Sequence, residues 1–73
     1  MEGFNSVMAD MLFKKDVFIH PGSGERLTVT AEPVIEGIPG KERVIVYCKT
    51  AKGSSRRYLF QLGAQVLVKI KGI

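Results

Sequence analysis

Cysteine occurs once in this chain, at Cys48, and histidine once, at His20. One cysteine cannot close an internal disulfide, and one cysteine with one histidine cannot complete a tetrahedral zinc set within a single chain. The usual staples of very small domains are therefore excluded, and no metal or cofactor is expected. No apolar run approaches the roughly 18 residues of a membrane span, so no membrane partner is expected. The N-terminus lacks a basic n-region, and Glu2 and Asp10 interrupt any apolar h-region, which argues against a signal peptide. The expected compartment is the cytoplasm. Carboxylates are scarce in the second half: after Glu42 there are none.

What is present fits an ordinary globular domain. The chain has 73 residues, 45% of them hydrophobic and 25% charged, enough for one domain over 1–73 with a small core. Its net charge of +4 is unevenly divided. Residues 1–40 carry Lys14, Lys15 and Arg26 against Glu2, Asp10, Asp16, Glu25, Glu32 and Glu36, a net −3. Residues 41–73 carry Lys41, Arg43, Lys49, Lys52, Arg56, Arg57, Lys69 and Lys71 against Glu42 alone, a net +7. Such a split predicts one basic face, set against the alternative that the two halves neutralise each other across the fold.

Near the N-terminus, Phe4, Val7, Met8, Met11 and Leu12 recur at helical spacing, with Glu2 at the start and Lys14–Lys15 at the end suiting the helix dipole. The pattern predicts an amphipathic helix within 1–14. Its apolar stripe would cap the domain or meet a second copy, making these five residues the candidate self-association surface.

From Asp16 the period drops to two. Val17 and Ile19 alternate with Asp16, Phe18 and His20 before Pro21-Gly22-Ser23-Gly24 breaks the run, and Leu27, Val29 and Ala31 alternate with Arg26, Thr28, Thr30 and Glu32. Strand, Gly-rich turn and strand predict a hairpin. Residues 33–42 read as a loose connection broken by Gly37, Pro39 and Gly40. Arg43–Thr50 reads as a central strand and 56–62 as its hairpin partner after a turn at 51–55. Residues 65–71 form the last strand, with Lys69 and Lys71 on its outer face. The expected fold is mainly β: five short antiparallel strands in meander order over 15–73, barrel-like or strongly curved, with the N-terminal helix at one end.

Catalytic chemistry finds little support. Cys48 lies in an apolar run, where a free cysteine is a core residue, and His20 precedes Pro21 at a strand end, a solvent-facing turn position. Pro21–Arg26 is Gly-rich, but a strand follows where a phosphate loop needs a helix. Glu32 and Glu36 flank Pro33 without a cleft to raise a pKa. The chain reads as a non-enzymatic module.

Basic residues interleaved with aromatics remain. Lys49, Lys52, Arg56 and Arg57 crowd one hairpin between Tyr47 and Tyr58, with Lys69 and Lys71 on the last strand. Lysine and arginine clusters bind phosphates, and strand-borne aromatics stack unpaired bases. With Val44, Val46 and Cys48 inward, Ile45, Tyr47 and Lys49 face outward; alternation leaves the inward side of 56–62 open. The candidate site is Tyr47, Lys49, Lys52, Arg56, Arg57, Lys69 and Lys71, and the expected partner is RNA or single-stranded DNA. The alternative is a protein-interaction or regulatory subunit that docks on an acidic partner through a β-edge or the N-terminal helix.

Overall fold

Alternation at period two extends through more of the chain than its apolar pattern suggests. The computed structural model describes residues 3–70 and places seven strands in one antiparallel sheet. They are β1 (Phe4–Met8), β2 (Val17–Ile19), β3 (Arg26–Val29), β4 (Val34–Glu36), β5 (Arg43–Thr50), β6 (Ser55–Gln61) and β7 (Gln65–Lys69). One 3-10 turn, Ala9–Met11, follows β1.

Strand β5 organises the sheet. One edge pairs with β6 along its whole length, from Arg43↔Gln61 to Lys49↔Ser55. The other edge is shared: β3 covers its C-terminal end (Leu27↔Thr50 to Val29↔Cys48), and β4 covers its N-terminal end (Val34↔Ile45 to Glu36↔Arg43). Beyond β3 the order runs β2, β7, β1, so the last strand is inserted between the first two and the order is not a meander. The sheet does not close into a barrel among the described residues.

Three further expectations are corrected here. The N-terminal helix is absent among the described residues: Phe4–Met8 form β1, paired with β7 from Phe4↔Lys69 to Met8↔Gln65. A helix this short is marginal alone, and β7 has one edge against β2 and another that needs backbone partners. Pairing therefore overrides the helical spacing. The proposed self-association stripe consequently does not exist as one face. Phe4, Val7 and Met8 lie on β1, Val7 packs against the core, Leu12 is buried within it, and Met11 is exposed on the 3-10 turn. Seven strands replace the expected five, because the loose connection also holds β4. The β3 ladder leaves β5 near Cys48, so Arg43–Ile45 needs another neighbour, and Val34–Glu36 supplies it despite Pro33 and Gly37 on either side. Gly37 allows the departure: its φ is +116°, and a Cβ there would lie 2.7 Å from the carbonyl oxygen of Lys41.

The core lies on the inner face. It gathers Phe18, Leu27, Val29, Val44, Val46, Cys48, Phe60, Val66 and Val68, with Ala9 and Leu12 from the turn after β1. Phe18 on β2 and Phe60 on β6 are separated by two intervening strands, a span of about 14 Å in a flat sheet. Their ring centroids are 6.4 Å apart in an edge-on contact, so the sheet curls strongly. Phe18 is the buried residue of β2, and Val17 and Ile19 face the other way, half-buried.

Phe18 is fully buried, so Phe18→Ala should destabilise the fold by about 3–5 kcal/mol. Phe13 is 68% exposed, and Phe13→Ala should stay within about 0.5 kcal/mol of wild type. Urea unfolding of the two variants checks the assignment.

Candidate nucleic-acid interface

The β5–β6 hairpin positions most of the basic residues. Its turn is closed by the Thr50 N–H donating to the Ser54 carbonyl at 2.9 Å, the Gly53 N–H donating to the Thr50 carbonyl at 2.9 Å, and the Ser54 N–H donating to Thr50 Oγ1 at 3.2 Å. Gly53 takes a φ of +86°, which a residue with a Cβ rarely adopts. That turn sets the register, and register sets the faces: residues directly opposite each other share a side, and neighbours along a strand do not.

Arg43, Ile45, Tyr47 and Lys49 of β5 therefore face outward with Ser55, Arg57, Leu59 and Gln61 of β6. Tyr47 sits directly opposite Arg57, Lys49 sits two pairs further along on the same face, and Thr28 of β3 lies on the other side of Lys49. Tyr47, Lys49 and Arg57 are all exposed. Ile45 differs from the expectation for an outward residue: it lies between Val34 and Leu59 and is buried.

Arg56 is separated from Arg57 by the same parity. It lies opposite Cys48 on the inner side, beyond the core, where its guanidinium donates to the Ser55 carbonyl at 3.5 Å. With Glu25, Arg26, Thr50, Lys52 and Ser54 it lines an open groove of about 350 Å³ at the hairpin tip. Lys52 belongs to that tip. Lys71 lies outside the described residues.

Lys69 is placed elsewhere on the outer face, on β7 opposite Phe4. The guanidinium of Arg26 lies 5.6 Å from the centre of the Phe4 ring, a cation–π contact. Phe4, Arg26 and Lys69 thus make a second outward basic and aromatic spot. Phe4 and Arg26 had no signal in the sequence, because three remote strands bring this set together. Apart from Glu36 on β4, no strand carries a carboxylate; the other described acidic residues lie in turns and connections.

Tyr58 and His20 have different roles from the outward aromatics. Tyr58 points inward, and its hydroxyl donates to Glu25 Oε1 at 3.4 Å. His20, expected to face solvent, is half-buried with its ring 4.4 Å from Tyr58 and 5.9 Å from Phe60. Its Nδ1 accepts the N–H groups of Gly22 and Ser23, each at 3.1 Å. The histidine thereby holds the β2–β3 turn against β6, and Nδ1 carries no proton in that arrangement.

Cys48 is buried, and its thiol donates to the Arg56 carbonyl at 3.8 Å. Burial pushes the thiol above its ordinary pKa, the charge of Glu25 adds to the rise, and Arg56 acts in the opposite sense. A raised thiol pKa means that the unfolded chain loses its proton first. The stabilisation is whole below the ordinary thiol value, about 8.5, and is lost as pH climbs through the raised one. Cys48→Ala should therefore flatten the fall in stability above about pH 9. In the folded wild type, alkylation at neutral pH should be slower than in the urea-unfolded chain.

Among the described residues, no three or more His, Cys, Asp or Glu side chains gather where they could hold a metal ion, and no helix is long and apolar enough to cross a membrane. Compared with protein-family models, curated proteins and solved structures, the chain matches none.

Proposed function

We propose that this protein is a non-enzymatic module that binds RNA or single-stranded DNA across the outer face of its sheet. One observation supports the reading above the others: the strands forming this face, β4 apart, carry cations and aromatics but no carboxylate. A polyanion crossing it would meet Arg57, Lys49, Arg26 and Lys69 without a repelling side chain from those strands.

Each residue has a definite part in this account. Lys49 and Arg57 flank Tyr47 and would neutralise phosphates on either side of a base stacked on its ring. Arg26 and Lys69 extend the track toward Phe4. Arg56 and Lys52 lie around the hairpin tip and would touch a strand only where it passes over the end. Single strands are favoured over duplex because stacking requires an unpaired base.

The face-by-face division generates a test by salt titration with a short oligonucleotide. Wild-type affinity should fall with a logarithmic slope of roughly −0.7 per phosphate contact. Arg57→Ala should flatten the slope by about one contact, and Arg56→Ala should flatten it less. Tyr47→Ala should cost about 1–3 kcal/mol and leave the slope unchanged. Equal binding to heparin, unaffected by Tyr47→Ala, would reduce the interaction to general charge attraction and contradict the proposal.

A further inference from the structure

Strand β6 pairs with β5 on one side, and on the other no described strand covers it. In an antiparallel ladder, directly opposite residues alternate between hydrogen-bonded and non-bonded pairs. The Thr50–Ser54 bond makes that pair a bonded one. Counting along the register, Cys48–Arg56, Val46–Tyr58 and Val44–Phe60 are the bonded pairs that follow. The N–H and C=O groups of Ser55, Arg57 and Leu59 then point away from β5, into the open edge, while the Gln61 carbonyl is taken by the Ala64 N–H at 3.0 Å. The Ser55 carbonyl agrees, since it takes a hydrogen bond from the side chain of Arg56.

This edge is seven residues long, a length suited to taking an added strand. Edges are ordinarily protected by charge, and here the strands' own charge is of one sign: Arg56 and Arg57 sit on opposite faces of the edge with no carboxylate in β5 or β6, and the nearby Glu25 is engaged by the Tyr58 hydroxyl. A second copy of β6 would bring two more arginines and nothing to neutralise them. An extended acidic segment would bring the complement. We infer that the open edge of β6 is a strand-addition site for an acidic, extended peptide from a partner protein. This goes beyond nucleic-acid binding and uses the backbone edge of β6, which shares only Arg57 with the outer face.

Register gives the peptide a pattern. Residues opposite Arg56 and Arg57 take aspartate or glutamate. Those opposite Tyr58, half-buried, and Leu59, 52% exposed, take apolar side chains. Paired antiparallel, the segment reads apolar, apolar, acidic, acidic in chain order.

The test titrates a capped peptide reading Thr-Val-Ile-Glu-Glu-Thr into the full chain and follows amide hydrogen exchange. The Arg57 and Leu59 amides should exchange freely in the free protein and slow by about tenfold or more when the peptide binds, while those of Tyr58 and Phe60, already bonded to β5, change little. Leu59→Pro removes an edge donor without touching the ladder to β5, and should weaken peptide binding by about tenfold with the other amide resonances kept. If that variant fails to fold, the wild-type exchange pattern decides by itself. No binding, equal binding of an all-glutamate peptide, or protection elsewhere than at Arg57 and Leu59 would overturn the inference. So would protection of these two amides that rises with protein concentration without peptide, which would assign the edge to a second copy, or the same protection produced by an oligonucleotide. Tyr47→Ala should leave peptide binding intact, so failure of one proposal is distinguishable from failure of the other.

Discussion

Two-sided hydrogen bonding of β5 is the constraint on which the rest of the molecule depends. A strand paired along both edges has no freedom to slip, because a one-residue shift would exchange Val44, Val46 and Cys48 for Ile45, Tyr47 and Lys49 on the core side. Fixing that parity fixes the neighbours. Phe60 turns inward to meet Phe18, Arg57 turns outward beside Tyr47, and the short β3 and β4 divide the remaining edge. With no disulfide available, this register and the small core beneath it carry the stability.

Charge follows the same division. Strand positions on the outer face hold arginine and lysine, and most described carboxylates are kept to connections, where several perform local duties. Asp16 accepts the Phe13 N–H at 2.8 Å, Glu42 accepts the Gly40 N–H at 2.8 Å, and Glu25 accepts the Tyr58 hydroxyl. Glu36 lies opposite Arg43, and Glu25 shares the groove at the hairpin tip with Lys52 and Arg56. On the proposed reading, the cations of the outer strands would draw a polyanion to that face.

The sequence was legible where one face of a strand is buried. Leu27 and Val29, Val46 and Cys48, and Val66 with Val68 all alternate as the buried side requires, and only Ile45 departs from the pattern on β5. It was misleading where two periods fit the same residues: Phe4, Val7, Met8, Met11 and Leu12 suit a helix, but the unpaired edge of β7 decides for a strand, and that edge is invisible locally. β4 was hidden between Pro33 and Gly37 because its existence answers a gap on β5 and not a preference of its own. At the site, Tyr47 and Lys49 could be placed outward from the apolar run, whereas the separation of Arg56 from Arg57 required the register of β6. The pairing of Phe4 with Arg26 and Lys69 joins three distant segments and left no trace in spacing. His20 looked like a turn residue and is one, but its stacking on Tyr58 needed the curl of the sheet.

On the proposed reading, the outward parity of β5 and β6 makes the binding face. Amide and side-chain resonances followed during titration with a short single-stranded oligonucleotide test it most directly. Perturbations confined to Tyr47, Lys49, Arg57 and the Phe4–Arg26–Lys69 spot, with Tyr47 ring protons in contact with base protons, are the predicted result. Perturbations that instead centre on Arg56, Lys52 and the hairpin tip, or an absence of any, would contradict it.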